Sequence, residues 1–341
     1  MQDMTFASLL RAVIAGRDLS RDQAHWAFGQ VMDGLWAESQ IGALLAALAA
    51  KGETSEEIAG AAQAMRERSV KIDSGGADVL DTCGTGGTGV STFNVSTASA
   101  LVCAGAGVKV AKHGNRTATR ASGSADVLGE LGVNLDADPA CAARCLREAN
   151  VCFCFAIRCH PAMKHAAPVR KSLGVRTIFN LLGPLTNPAS ARRQLMGVFD
   201  AALTEPIAHV LGSLGSLWAM VVHSEDGLDE LSIAAPTRVS EWNGSAVVTR
   251  TITPGDAGIK TGDLSSVLVK SPRESADVIR SVLAGGAGAA RDMVVLNSAA
   301  ALVVAGKARD VRQGAVAAQE SIDSGAAKAA LAKLVETSHG R

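Results

Sequence analysis

Ala77-Asp78-Val79-Leu80-Asp81-Thr82-Cys83-Gly84-Thr85-Gly86-Gly87-Thr88-Gly89 is the stretch whose reading decides the architecture. A short strand, 77–81, is predicted to run straight into a loop with glycines at 84, 86, 87 and 89. Small apolar residues over 95–106 then predict a helix that begins near Asn94. A glycine loop between strand and helix lets backbone N–H groups converge, and the helix amino terminus adds positive partial charge. Hydroxyls of Thr92, Ser96 and Thr97, with the Asn94 amide, would complete an anion cradle. No Gly-Lys-Ser/Thr follows, and the glycine spacing does not spell G-x-G-x-x-G, so neither nucleotide fingerprint applies. A flexible glycine turn is the plain alternative for this loop taken alone.

Outward from this loop, strands and helices alternate. Strands are predicted at 108–111, 151–157, 195–199, 218–222 and 246–248, and helices at 125–131, 275–283, 292–304 and 326–335. That alternation predicts an α/β sheet covered on both faces, over 75–341. Residues 1–70 read differently. Phe6, Leu9, Leu10, Val13 and Ile14 fall three or four apart, as do Ile41, Leu44, Leu45 and Leu48. Ser20 with Gln23, and Thr54 with Glu57, are capping boxes. The expected fold class is therefore α/β, with a small all-helical domain (1–70) packed on a larger sheet-and-helix domain (75–341).

The chain has 341 residues, with 33 Lys plus Arg against 33 Asp plus Glu. Zero net charge argues against a nucleic-acid partner held by bulk charge. The 3% aromatic content argues against base-stacking platforms. Hydrophobic residues at 48% exclude general disorder. Seven cysteines, several in apolar runs such as Val151-Cys152-Phe153-Cys154-Phe155, read as buried thiols of a reducing compartment. Cys141 and Cys145 are four apart without a convincing second pair, so zinc is not expected. With no signal core and no long uncharged apolar run, the chain is expected to be soluble and cytoplasmic, with no membrane partner.

Three further segments carry chemistry. The segment 112–126 follows a strand and holds Lys112, Arg116 and Arg120, two glycines and four hydroxyl-bearing residues. That composition suits a second phosphate, and two anion loops imply a substrate with two separated phosphate groups. In 158–180, Arg170 is a candidate clamp for a planar carboxylate, and His160 a candidate pocket wall. In 223–231, Asp229 and Glu230 stand beyond a strand and could share a Mg²⁺ with a diphosphate; a solvated acidic turn is the alternative.

Taken together, GTGGTG at 84–89, NVST at 94–97, KHGNR at 112–116, GSAD at 123–126, HPAMK at 160–164, VRKSLGVRTIFNLLGPLTNP at 169–188 and DE at 229–230 resemble the anthranilate phosphoribosyltransferases. The resemblance covers essentially the whole chain. It implies Mg²⁺-dependent transfer of phosphoribose from 5-phosphoribosyl 1-diphosphate to the amine of anthranilate. It also implies a homodimer through the helical domain, to which a segment near 165–185 would return. By the same resemblance, Gly84, Gly87, Thr88, Thr92, Asn94, Val95, Ser96 and Thr97 would contact the donor. So would Lys112, His113, Gly114, Asn115, Arg116, Thr117, Ala118, Thr119, Arg120 and Ser124 from the second loop. Gly84, Asn115 and Arg170 would hold anthranilate, His113 and His160 would line its path, and Ser96, Asp229 and Glu230 would meet Mg²⁺. Lys112, His113 and Arg170 are the expected catalytic residues. A nucleoside phosphorylase of the same architecture and a retired phosphoribosyl-binding homologue are the alternatives.

The sequence also departs from the family pattern. Thr88 stands where the loop usually carries Asp, and Thr119-Arg120 replace paired serines. Ile157 replaces a proline, and Cys159 the first His of a His-His pair.

Overall fold

The computed structural model describes residues 4–117 and 121–340. Ala118, Thr119 and Arg120 of the second loop lie outside the described residues. The chain opens with four helices, α1 (Phe6–Ile14), α2 (Arg21–Met32), α3 (Glu38–Lys51) and α4 (Ser55–Glu67). The capping boxes stand where their sequences place them. Ser20 accepts from the Gln23 amide while Gln23 accepts from Ser20, and Thr54 and Glu57 do the same for α4. Glu57 is fully buried, yet it also accepts from the Leu19 amide and the Lys51 ammonium, so its charge is satisfied inside.

The larger part is built on seven strands: β1 (Leu80–Gly84), β2 (Val110–Gly114), β3 (Val151–Phe155), β4 (Arg193–Gly197), β5 (Trp218–Ser224), β6 (Thr237–Trp242) and β7 (Val247–Ile252). Their spatial order is β3-β2-β1-β4-β5-β6-β7. The first five are parallel, and β6 and β7 add an antiparallel edge. The order turns at β1, which pairs with β2 on one side and β4 on the other, and ligands of open α/β sheets bind beyond the carboxyl ends at such a point.

The remaining helices, in chain order, are α5 (Val95–Gly105), α6 (Ser124–Glu130), α7 (Pro139–Glu148), α8 (Ala156–Cys159), α9 (Ala167–Leu173), α10 (Phe179–Leu182), α11 (Thr204–Ser213), α12 (Pro272–Leu283), α13 (Ala289–Val304), α14 (Val311–Asp323) and α15 (Ala326–Ser338). Alternation along the strands divides the core in two. Leu195, Met220 and Val222 pack toward α5, α13 and α14. Met196, Ala219 and Val221 face the other way, into a cluster with α1–α4, α11 and the segment 166–185. None of the described helices is long and apolar enough to cross a membrane.

Several boundaries differ from the sequence reading. The strand expected at 77–81 is β1 at 80–84, because Gly84 pairs in register with Gly197 of β4 instead of starting a loop. The strand expected to reach 157 stops at Phe155, where α8 begins, and Ile157 is 59% exposed despite its apolar side chain. Helices α7, α11 and α14 and strand β6 are not legible in the periodicity. Helix α7 places Cys141 and Cys145 one turn apart, with Cys145 buried against the core, which explains their spacing by packing. All seven cysteines are free thiols; five are buried, but Cys83 and Cys141 are half-buried.

Candidate active site

The glycine loop leaves β1 with Gly86, Gly87 and Gly89 at positive φ, a conformation that side chains with a Cβ rarely adopt. Thr85 donates its amide to the Gly197 carbonyl, and Gly86 donates to Asp229 Oδ2 at 2.8 Å. Gly84 has a packing reason as well, since a Cβ there would lie 2.6 Å from Asp229 Oδ2. Asp229 and Glu230 are both nearly buried, and Glu230 accepts from Thr92 Oγ1. The two acidic residues are therefore part of the cleft wall and not a solvated turn.

The second loop leaves β2, beside β1. Lys112 is buried and donates through Nζ to the Thr82 carbonyl at 2.6 Å and to Ser96 Oγ at 3.2 Å. Burial pulls its ammonium below the usual lysine range, opposed by the nearby Asp81 carboxylate. Asp126, at the start of α6, fastens the loop from below: it accepts from Arg116 Nη1 and from the Thr117 and Gly123 amides. Sequence reasoning gives Asp126 no role, although it stands in the GSAD motif. Asn94 joins the two loops, donating to the Ser122 carbonyl and accepting from the Ser122 and Ser275 hydroxyls.

Between the loops lies a cleft of about 220 Å³. Its lining includes Gly84, Asn94, Ser96, Lys112, His113, Gly114, Asn115, Arg116, Thr117, Ser124, Asp229 and Glu230. Not every expected residue is there. Gly87, Thr88, Thr92 and Val95 do not line it; Val95 is wholly buried beneath. Thr97 is buried too, and its hydroxyl makes no hydrogen bond among the described residues.

A second cavity, about 380 Å³, adjoins the first and shares His113 and Asn115 with it. Its walls are mostly apolar: Met65 from α4, Ala156 and Ile157, Met163, Phe179 and Gly183. Arg170 of α9 enters it with the guanidinium 5.2 Å from the Phe179 ring centre. No carboxylate or carbonyl meets that guanidinium among the described residues, and burial alone pulls its pKa down. His113 and His160 stand with their Nε2 atoms 3.2 Å apart, so one ring donates to the other. Burial, and for His113 also the neighbouring His160, pulls His113 down to about 3; burial pulls His160 down to about 4. Both are neutral at physiological pH. Met65, Phe179 and Gly183 escape sequence reasoning as site residues because each reads as ordinary core or turn.

The oxygen donors of Ser96, Asp229 and Glu230 in the cleft lining are hard ligands of the kind Mg²⁺ takes. One or two carboxylates suffice for an ion that also binds phosphate oxygens. The donor set fits such an ion.

Fold and site together define a class. Residues 76–328 match the a/b domain of a glycosyl transferase family, and residues 7–69 match that family's helical bundle domain. The chain is 50% identical over 332 residues to the anthranilate phosphoribosyltransferase of Symbiobacterium thermophilum, covering 97% of each. It is 50% identical over 327 residues to that of Rhodospirillum rubrum, covering 96% of this chain and 94% of the relative. The crystal structure of the Thermus thermophilus anthranilate phosphoribosyltransferase superposes with a TM-score of 0.92 at 40% identity, covering 97% of this chain and 99% of that one. The Saccharomyces cerevisiae enzyme, solved in complex with PRPP and Mg, gives 0.89 at 27% identity over 100% of this chain and 99% of that one. Within the glycosyl transferase family, this chain belongs to the anthranilate phosphoribosyltransferases.

Proposed function

We propose that the two adjoining cavities carry the family's reaction: transfer of the 5-phosphoribosyl group from 5-phosphoribosyl 1-diphosphate to the anthranilate amine, giving N-(5-phosphoribosyl)anthranilate and diphosphate. One observation carries the reading. A polar cleft bearing cations and carboxylates shares His113 and Asn115 with an apolar cavity that holds a guanidinium with no anionic partner among the described residues. The first suits a doubly phosphorylated donor. The second suits a flat aromatic acid, whose carboxylate Arg170 would receive.

In this reading the 84–89 loop, Asn94, Ser96, Lys112 and the described residues of the second loop hold the donor. Ser96, Asp229 and Glu230 would hold Mg²⁺, which when bound supplies positive charge to the leaving diphosphate oxygens. Lys112 and the loop N–H groups face the same developing charge. The C1–oxygen bond to diphosphate breaks, C1 gains oxocarbenium character, and the anthranilate nitrogen bonds to C1 from the opposite face. The amine then sheds one proton. An aromatic amine starts unprotonated, so no strong base is required, and most of the acceleration comes from placing the two reactants. His113 and His160, neutral and buried, shape the wall where the amine sits.

The helical part would carry a homodimer contact. Ile14 and Leu35 expose their side chains there, at 70% and 64%, and light scattering on the purified chain would read the assembly. A cytoplasmic location accords with seven free thiols. The decisive test is the loss of anthranilate fluorescence with 5-phosphoribosyl 1-diphosphate and Mg²⁺, against a donor-free control. Loss that requires both donor and metal is expected; donor binding without loss would leave a retired homologue.

A further inference from the structure

We propose that Asp81 and Asn187 form a buried positioning pair that holds the second anion loop in register with the wall of the acceptor cavity. The inference rests on the functional reading above, and deepens it. Asp81 is wholly buried in the middle of the sheet, where an apolar residue would satisfy the fold. It is instead a carboxylate on which two donors from distant parts of the chain converge. The His113 amide reaches Oδ1 at 3.0 Å, and Asn187 Nδ2 reaches Oδ2 at 2.8 Å.

Asn187 is equally committed. Its amide nitrogen also donates to the Ala111 carbonyl at 2.7 Å, and its oxygen accepts from the Ala189 amide at 2.9 Å. The pair therefore brackets Lys112: Ala111 before it and His113 after it are both tied down. On the other side, Asn187 directly follows Thr186, and Thr186 and Gly183 line the acceptor cavity. The turn that sequence reading treats as architecture is thus bolted to the strand end that carries the donor cation. Slippage of either element would change the distance between the two reacting atoms. Errors of about 1 Å in such placement cost on the order of 100-fold in rate.

Neither residue touches substrate in this reading, so the test separates position from fold. In Asp81→Asn the amide offers one oxygen to two donors, and its own NH₂ must oppose either the His113 amide or Asn187 Nδ2. The expected result is a fall in kcat/KM for anthranilate on the order of 10- to 100-fold, with kcat itself reduced, measured well below the melting temperature of each variant. Asn187→Ala keeps the bond from His113 to Asp81 and should lose less. In the double variant the opposed amide is gone, so its loss should be smaller than the product of the single losses. If Asp81→Asn and Asn187→Ala keep kcat and both KM values within about twofold while only stability falls, or if the double loss equals the product, the pair is overturned. Should Asp81→Asn not fold, Asn187→Ala and Asn187→Ser carry the test alone, and parent-like kinetics in both would overturn it. Absence of turnover in the parent would instead defeat the functional reading, so the two failures are distinguishable.

Discussion

The Gly86 amide donates to Asp229 Oδ2 across 2.8 Å, so the glycine loop after β1 and the acidic turn after β5 are joined at the edge of the cleft. That contact depends on the bare backbone next to it. A Cβ on Gly84 would sit 2.6 Å from the same oxygen and 3.5 Å from the Gly197 carbonyl. Gly84→Ala must therefore displace the Asp229 carboxylate. The expected outcome is a roughly tenfold or larger fall in kcat, with the Mg²⁺ concentration for half-maximal activity raised. Steady-state rates across a Mg²⁺ series check it; an unchanged Mg²⁺ profile would mean that Asp229 has no part in the metal site.

Arg170 leads to a prediction about the acceptor alone. Its guanidinium is half-buried over Phe179 and lies in the cavity away from the donor cleft. A charge-assisted pair of this kind is worth about 1.5–3 kcal/mol. Arg170→Ala should raise the anthranilate KM about 10- to 100-fold and leave the donor KM nearly unchanged. Arg170→Lys should recover only part, since an ammonium lacks the planar fork. Equal effects on both KM values would show Arg170 to be structural.

The legibility of this site in sequence follows from whether a signal is local. Glycine spacing, capping boxes and clustered cations are local, so the two loops and the first four helices can be read from neighbours in the chain. The cavity wall cannot. Met65 looks like one more core residue of α4, and Phe179 like an apolar residue of a turn-rich run, because their common cavity exists only once 113–115 and 156–186 fold together beside α4. Asp81 gives no periodic signal for the same reason: its two donors come from positions 113 and 187. Strand β6 escapes because Arg238, Glu241 and Ser240 dilute its apolar alternation. Helix α7 escapes because Cys and Ala supply much of its buried face where Leu or Ile would have marked it.

The histidine pair sets a pH dependence of stability. Burial holds the native pKa of His160 at about 4, below the ordinary 6.5 of an unfolded chain. Between those values the unfolded chain binds a proton that the native state excludes, so this contribution is fully present above 6.5 and is lost as pH falls toward 4. Linkage makes the loss between pH 7 and pH 5 on the order of 2 kcal/mol for one such group. His160→Gln, neutral at every pH, should lose less stability than the parent over that interval. Urea midpoints at the two pH values check it; equal losses would mean that His160 already carries a proton in the native state.

Thr88 is the clearest departure within the first loop. The resemblance leads one to expect a carboxylate at this position, and here the side chain is a neutral hydroxyl. Asp229 and Glu230 remain in the cleft wall, and the loop glycines on either side of Thr88 keep their positive φ. Thr88 itself does not line the cleft, so the difference is one negative charge on the loop that borders it. A carboxylate added there attracts a divalent cation and repels the diphosphate. Thr88→Asp should accordingly lower the Mg²⁺ concentration for half-maximal rate and sharpen the dependence of donor binding on metal, while the anthranilate KM stays within about twofold because Arg170 and its cavity are untouched. Initial rates over a matrix of Mg²⁺ and donor concentrations separate these terms. Identical Mg²⁺ profiles in parent and variant would show that position 88 lies too far from the metal to matter, and the tuning would then have to be sought among Ser96, Asp229 and Glu230 themselves.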